Sequence, residues 1–207
     1  MFVITADQVG SRRDADRTGE LVDELTAAYG ASLALPADQT AGDEIQLLTG
    51  SAEATLGIVL DTTRTGGWSV GLGVGGIRMP LPDAVRKATG PAFIAAREAV
   101  DAAKRADGRF ALRAGDSELE TAATDAEALI RLLVLLRERR SDPGWEVVEL
   151  MRAGHQQKEA AAILDVSAAA VSARLKAAMW RAEEDARPAL VRVLERLDAD
   201  SERAARE

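Results

Sequence analysis

The segment of residues 157–181, QKEAAAILDVSAAAVSARLKAAMWR, most constrains the fold, because its small and apolar residues have the spacing of two short helices joined by a tight turn. Ala161 is small where the helices would cross, and Asp165 is one of the few non-glycine types that tolerate a left-handed backbone. Ser167 can cap the second helix, whose period continues through Met179. Apolar contacts of the motif fall on Leu164, Val166, Val171 and Leu175. The spacing predicts a helix-turn-helix.

A helix-turn-helix makes double-stranded DNA the first partner to consider, because its second helix enters the major groove with its N-terminus first. An ordinary alanine-rich helix pair is the alternative, and the spacing argues against it. Base-facing positions of the second helix are Ala168, Ala169, Ser172 and Ala173. Arg174, Lys176 and Arg181 are available for phosphates, and Gln157 and Ser167 lie at the starts of the two helices. The predicted DNA-binding set is therefore Gln157, Ser167, Ala168, Ala169, Ser172, Ala173, Arg174, Lys176 and Arg181.

The charge distribution supports a local rather than a general affinity for nucleic acid. A net charge of −8 weighs against coating DNA by bulk electrostatics. Residues 152–181 nevertheless contain five basic and two acidic residues, a local charge of +3. The footprint for phosphate contact is therefore confined to the motif.

Composition restricts the class of protein. Hydrophobic residues make up 47% and charged residues 29%, which is typical of a globular chain. The absence of cysteine excludes disulfides and thiolate metal sites. The first residues contain no basic leader, and no apolar stretch approaches membrane-spanning length, so we expect a cytoplasmic protein without a membrane partner.

The N-terminal half alternates strand and helix patterns. Its order is strand, helix, hairpin, helix, strand, helix, strand, which predicts an α+β fold with ferredoxin-like connectivity. Pro36 favours an edge position for its strand. The glycines of residues 71–76 lack the setting of a dinucleotide fingerprint, so they indicate close backbone packing. The predicted segments are residues 2–6, 14–29, 32–39, 44–48, 51–64, 68–74, 91–105 and 109–113.

The chain is helical after Gly115. We expect an α+β domain over residues 1–116, a connecting helix over 117–140 and a helix-turn-helix domain over 141–207. The tail from residue 187 is amphipathic, and it could pack on the motif or on the motif of a second subunit. Its apolar face carries Leu190, Val193, Leu194 and Leu197.

Two carboxylates suggest chemistry in the N-terminal half. Asp7 ends the first strand and Asp43 lies in the hairpin turn, so neighbouring strands would bring both to one edge. Paired carboxylates hold Mg²⁺ when substrate phosphates complete the oxygen shell. Gly10 and Ser11 would leave N–H groups for phosphate oxygens, and Arg12 would add charge. Spacing alone favours the alternative of solvated turn residues.

A family resemblance favours a ligand site over solvated turn residues. TADQVGSR at residues 5–12 resembles the first-strand motif of class III nucleotide cyclases, and AGDEI at 41–45 resembles their Gly-Asp hairpin and that of diguanylate cyclases. VGLGVGGI at 70–77 and AAREA at 95–99 are similar to a later strand and helix. With the C-terminal motif, the chain resembles the SatD family of bacterial proteins.

The resemblance implies particular site residues. It places Asp7 and Asp43 as a metal-binding pair, with Mg²⁺ and a nucleotide as possible ligands. Phe93 stands where the family's partner Asn would be, and a phenyl ring cannot hydrogen-bond a ribose, so binding is implied rather than turnover. Gln39 occupies the approximate position of a base-selecting Lys. The implied nucleotide-binding residues are Gly10, Ser11, Arg12, Gly42 and Arg97.

These observations predict a DNA-binding transcriptional regulator that acts as a homodimer, with an N-terminal domain that senses a nucleotide or phosphorylated ligand or forms the dimer. A metal-dependent nucleotide cyclase or nucleotidyltransferase acting on ATP or GTP is the alternative. A protein-interaction module is a third possibility.

Overall fold

The computed structural model describes residues 1–11, 15–40 and 42–205, which form a mixed five-stranded sheet with packed helices followed by an all-helical C-terminal region. The strands are β1 Phe2–Gln8, β2 Leu33–Gln39, β3 Glu44–Thr49, β4 Trp68–Val74 and β5 Phe110–Ala114. The helices are α1 Thr18–Tyr29, α2 Ala52–Thr62, α3 Pro91–Ala103, α4 Glu120–Glu138, α5 Asp142–Arg152, α6 Gln157–Ile163, α7 Ala168–Ala177 and α8 Trp180–Ala204.

The sheet has the strand order β2-β3-β1-β4-β5. Its strands pair antiparallel except for β4 and β5, which are parallel and are joined through α3. The elements follow one another in the predicted order of strands and helices. Pro36 lies in β2 at the edge of the sheet, where a missing N–H costs no ladder hydrogen bond, so that prediction is confirmed.

Helix α3 lies unusually close to β4 because both surfaces are made of small residues. A Cβ atom added at Gly73 would lie 2.1 Å from the Ala92 carbonyl oxygen, and one at Gly71 would lie 2.2 Å from the Val100 nitrogen. No side chain fits in those gaps. Close backbone packing therefore explains these two glycines, as the sequence predicted.

The opposite face of the sheet packs against α1, α2, α4 and α8 in one hydrophobic core. Helix α8 begins at Trp180, earlier than the predicted tail, and its first turns contact α7. Leu190, Leu194 and Leu197 are buried in the sheet core, where α8 contacts α2 and α4 of the same chain. The expectation that the apolar face of the tail packs on the motif or on its copy in a second subunit is wrong, because that face completes the sheet core of the same chain.

Helices α5, α6 and α7 enclose a small core of their own. Its buried members are Trp145, Val147, Val148, Ala160, Ala161, Val171, Leu175 and Ala178. Within the described residues, no helix combines the length and the apolar character needed to cross a membrane.

Candidate nucleic-acid interface and a second candidate site

The turn between α6 and α7 has the geometry that the sequence predicted. Asp165 is left-handed with φ of 51°, and the Val166 N–H donates to the Ala161 carbonyl oxygen at 3.0 Å. The Ser167 hydroxyl oxygen accepts a hydrogen bond from the Ala170 N–H at 3.1 Å, which caps α7. Both predictions are confirmed.

The contact between the two helices rests on small and branched side chains. Ala161 in α6 is buried, and Val171 and Leu175 of α7 are buried in the same cluster. Leu164 and Val166 from the turn pack against that cluster. A larger residue at Ala161 would separate the helices, which is why a small residue is required there.

The second helix ends earlier than predicted. Helix α7 stops at Ala177, and Met179 is left-handed with φ of 53°, so the continuous period through Met179 is wrong. The left-handed residue turns the chain into α8 while Ala178 stays buried. Arg181 therefore belongs to α8, whereas Arg174 and Lys176 belong to α7.

The predicted DNA-binding residues lie on the outer surface of α6, α7 and the start of α8. Arg174 is partly buried and its Nη1 lies 3.3 Å from the Glu146 carboxylate of α5, so one of its donors is already engaged. The remaining members of the set are all exposed, namely Gln157, Ser167, Ala168, Ala169, Ser172, Ala173, Lys176 and Arg181.

A cavity of about 490 Å³ opens on this surface. Four predicted residues from three helices meet in its wall: Gln157, Ser172, Lys176 and Arg181. Leu175, Met179, Trp180 and Ala182 complete the wall. The structure thus places two cations and two uncharged hydrogen-bonding groups around one opening, an arrangement suited to phosphate oxygens. Trp180 packs on the helical core from this side.

A second candidate site lies where β1 ends beside the β2–β3 turn. β1 and β3 are antiparallel neighbours, and the Gln8 N–H donates to the Asp43 carbonyl oxygen at 3.2 Å. Asp7 and Asp43, the predicted metal-binding pair, therefore lie at the same edge of the sheet. The residue directly opposite Asp7 in the register is Glu44 rather than Asp43.

Two cations from the α3 segment reach the carboxylates at this edge. The Arg97 guanidinium contacts both oxygens of buried Glu44, with Nη1 at 2.6 Å and Nη2 at 3.0 Å. The Lys104 ammonium lies 3.1 Å from the Asp7 carboxylate. Sequence reasoning missed Glu44 and Lys104. The antiparallel register of β1 and β3 could have identified Glu44. Once Asp43 is placed beside the end of β1, the next residue of the chain, Glu44, lies opposite Asp7.

The donor set does not make a complete metal site. Mg²⁺ prefers an octahedral shell of oxygens. Across residues 1–11, 15–40 and 42–205, no group of three or more His, Asp or Glu side chains is arranged to hold a metal ion. Lys104 and Arg97 already neutralise Asp7 and Glu44. Binding of Mg²⁺ by Asp7 and Asp43 stays a prediction.

The remaining residues of the predicted ligand site lie on two turns. Gly10 and Gly42 are left-handed with φ of 75° and 69°, conformations that favour glycine. Ser11 follows Gly10 in the turn after β1, and Arg12 lies outside the described residues. The Gln39 side-chain amide donates to the Gly42 carbonyl oxygen at 2.5 Å, which holds the hairpin turn.

A cluster that sequence reasoning missed joins the sheet region to the helical region. We call Glu183 and the four arginines around it the Glu183 cluster. Glu183 of α8 is completely buried, and its carboxylate lies 2.5 Å from Arg137, 2.5 Å from Arg140, 2.7 Å from Arg152 and 3.3 Å from Arg187. The arginines come from α4, α5, α8 and the α4–α5 connection.

Electrostatics keep this buried carboxylate ionised. Burial would raise the pKa of Glu183, but attraction from Arg137, Arg140 and Arg152 lowers that pKa to about 2. Trp145 lies beneath the cluster, with the guanidinium carbons of Arg137 and Arg140 at 4.9 Å and 4.8 Å from its ring centroid. The Trp145 side chain is itself buried.

Helical spacing was the signal that could have found the cluster. Arg137 follows Ile130, Leu133 and Val134 on the buried face of α4. Glu183 lies seven residues before Leu190 on the apolar face of α8. A charged residue on an apolar face needs a buried partner of opposite charge.

Comparisons with protein-family models, with curated proteins and with solved structures found no match to this chain.

Proposed function

We propose that the chain is a DNA-binding transcriptional regulator in which α6 and α7 act as a helix-turn-helix. The observation that carries the proposal is the capped turn between them, where left-handed Asp165 and the Ser167 cap orient α7 outward on a small three-helix core. Helix α7 presents its exposed N-terminal residues, and exposed cations flank it. That is the arrangement by which a recognition helix enters the major groove.

The residues of α7 determine how the protein is expected to recognise DNA bases. Ala168, Ala169 and Ala173 offer methyl groups to thymine but no hydrogen bonds to base edges. Ser172 supplies one hydroxyl. Each half-site therefore gives little discrimination between DNA sequences. Selectivity depends instead on the spacing of the two half-sites bound by a homodimer and on DNA shape.

The N-terminal half is proposed as the sensing or dimerisation part. The first four strands, in the order β2-β3-β1-β4, agree with ferredoxin-like connectivity, the fold expected from the resemblance to nucleotide cyclases and the SatD family. Arg97 and Lys104 at the edge of the sheet give it cations that an anionic ligand could recruit from Glu44 and Asp7. A nucleotide or another phosphorylated molecule is the ligand class that this chemistry fits.

The salt dependence of DNA binding tests the proposal. Replacing Lys176 and Arg181 by Ala removes two exposed cations from the cavity wall. We expect weaker binding to every sequence, and a log–log salt slope reduced by about 0.9 for each lost phosphate contact. Arg174→Ala has a smaller effect because Glu146 already engages that side chain.

Arg196→Ala is the control, because Arg196 is exposed in the part of α8 that follows Leu194. Its affinity and slope should equal those of the wild-type protein. An unchanged slope in the Lys176/Arg181 variant would place these side chains away from phosphates, and no DNA binding at low salt would contradict the proposed function.

An enzyme acting on ATP or GTP is the second candidate, favoured by the meeting of the β1 end with the Asp43 turn. Incubation with each nucleotide and Mg²⁺ or Mn²⁺ tests it. Turnover by the wild-type protein that is lost in Asp43→Asn would support the enzyme and contradict a purely regulatory role. The ion pairs of Asp7 and Glu44 lead us to expect no turnover.

A further inference from the structure

Helix α4 has a second apolar surface that faces away from the core. One side of the helix is buried against the sheet and α8. On the other side Leu129 and Leu132 are 48% and 66% exposed. Leu136 lies at the margin of this surface, because it is partly buried and also packs against the sheet core. Most large apolar side chains of the described residues are buried, so two exposed leucines beside a partly buried third form an apolar patch that is typical of an interaction site.

The patch has a charged residue at each end. Residues 125, 129, 132, 136 and 139 alternate in steps of four and three, which keeps them in one narrow stripe along the helix. Asp125 closes the stripe near the N-terminus of α4, and Arg139 closes it just after the C-terminus. Both are exposed, and neither has a partner in the part of the chain that the structure describes.

The stripe is complementary to itself when one copy is reversed. Asp125 and Arg139 each lie seven residues from Leu132, about two helical turns. In an antiparallel pair centred on Leu132, Asp125 meets Arg139 of the second copy, and Leu129 lies within one residue of the level of Leu136 of the second copy. A two-fold axis repeats both contacts, so one surface satisfies both copies. A parallel pair would instead place like charges together.

We propose that α4 is the dimer interface, with α4 of a second copy of this chain as its occupant in antiparallel orientation. The inference rests on the proposed function in that it supplies the dimer a helix-turn-helix needs. It also places the two-fold axis on the helix that leads directly into α5 of the DNA-binding region. The N-terminal sheet is then left free for a ligand.

Sedimentation of the full-length chain without DNA tests the interface. We expect a dimer for the wild-type protein and a monomer for Leu132→Gln. Asp125→Arg and Arg139→Asp should each raise the dissociation constant at least about tenfold, since two repulsive contacts replace two attractive ones. Mixing these two variants should restore a heterodimer, because every arginine at the ends of the stripe then faces a carboxylate of the other chain.

Ile94→Gln on α3 is the matched control, since Ile94 is 64% exposed and lies outside the stripe. It should remain dimeric. A monomeric wild-type protein, an unchanged dimer in Leu132→Gln, or charge variants that fail to recover on mixing would overturn the interface. A dimer that does not bind DNA would contradict only the proposed function. DNA binding by a monomer would contradict this inference and the proposed reliance on two half-sites, but not DNA binding by the helix-turn-helix itself.

Discussion

Glu183 shows how one residue can join two regions of the chain. It is completely buried, and guanidinium groups from α4, α5 and α8 converge on it. An ion pair of this kind contributes little net stability compared with apolar packing, but removal of one partner is costly because the other charges stay buried. The cluster therefore fixes how α5 and α8 are placed relative to α4.

Glu183→Gln should lower the free energy of unfolding by about 3–5 kcal/mol, because it leaves buried Arg140 without its counter-charge and leaves Arg137 only its contact with the Asp61 carboxylate among the described residues. Urea unfolding at neutral pH measures the loss. Glu184→Gln is the control, since Glu184 is the exposed neighbour in the same helix, and it should change stability by less than about 0.5 kcal/mol. Equal stability of the two variants would contradict the role of the cluster.

The same residue predicts a pH dependence. The pKa of Glu183 is lowered in the folded protein to about 2, below the ordinary value of 4.5. Its contribution is fully present above pH 4.5 and is lost as the pH falls through 4.5 towards 2. Stability of the wild-type protein should fall in that window, and the Glu183→Gln variant should lack this part of the fall. Parallel pH profiles would contradict the assignment.

At the scale of elements, contact distance between a strand and a helix explains the glycines of β4. The α3 backbone approaches Gly71 and Gly73 so closely that a side chain at either position would overlap main-chain atoms. Such closeness also brings Arg97 and Lys104 within reach of the carboxylates at the end of β1 and the start of β3. The alanines of α3 and the glycines of β4 thus position the candidate ligand site.

Gly73→Ala should destabilise the protein by about 1–3 kcal/mol or more, because its Cβ would lie 2.1 Å from a carbonyl oxygen that cannot move alone. Gly19→Ala in α1 is the matched control, since no atom lies within 4 Å of its added Cβ. That variant should be neutral or more stable by up to about 1 kcal/mol. Thermal unfolding of both variants checks the difference, and a tolerated Gly73→Ala would mean that α3 can move away from the sheet.

For the whole molecule, α8 is the element that connects the two regions. Its first turns contact α7 and carry Glu183, and its later turns bury leucines in the core of the sheet. The N-terminal ammonium also pairs with Asp198 of α8. One continuous helix therefore links the core of the sheet to the proposed DNA-binding surface.

Leu194→Ala should lower the stability of both regions together, by about 2–5 kcal/mol, because the cavity lies in a core on which α8 depends. Amide hydrogen exchange followed in β1 and in α7 measures the two regions separately. Glu195→Ala, at the exposed neighbouring position, should leave both unchanged. Loss of protection in β1 alone would show that α8 does not connect the regions energetically.

Local patterns were sufficient for the elements and for the turn between α6 and α7. Alternation and helical spacing placed the strands and most helices, and Asp165 and Ser167 had the turn roles that their chemistry favours. The end of α7 could not be read in this way. Nothing in the residues near Met179 distinguishes one long helix from two helices separated by a left-handed residue.

Residue types and their spacing along the chain therefore settled the α+β order, the small residues of β4 and α3, and the two short helices with their cap. Partners distant in sequence were decided by tertiary structure alone: Glu44 opposite Asp7, α8 in the core of the sheet, and four arginines around Glu183. The physical reason is that periodicity tells which face of an element is buried, whereas the identity of the covering element depends on how the whole chain packs.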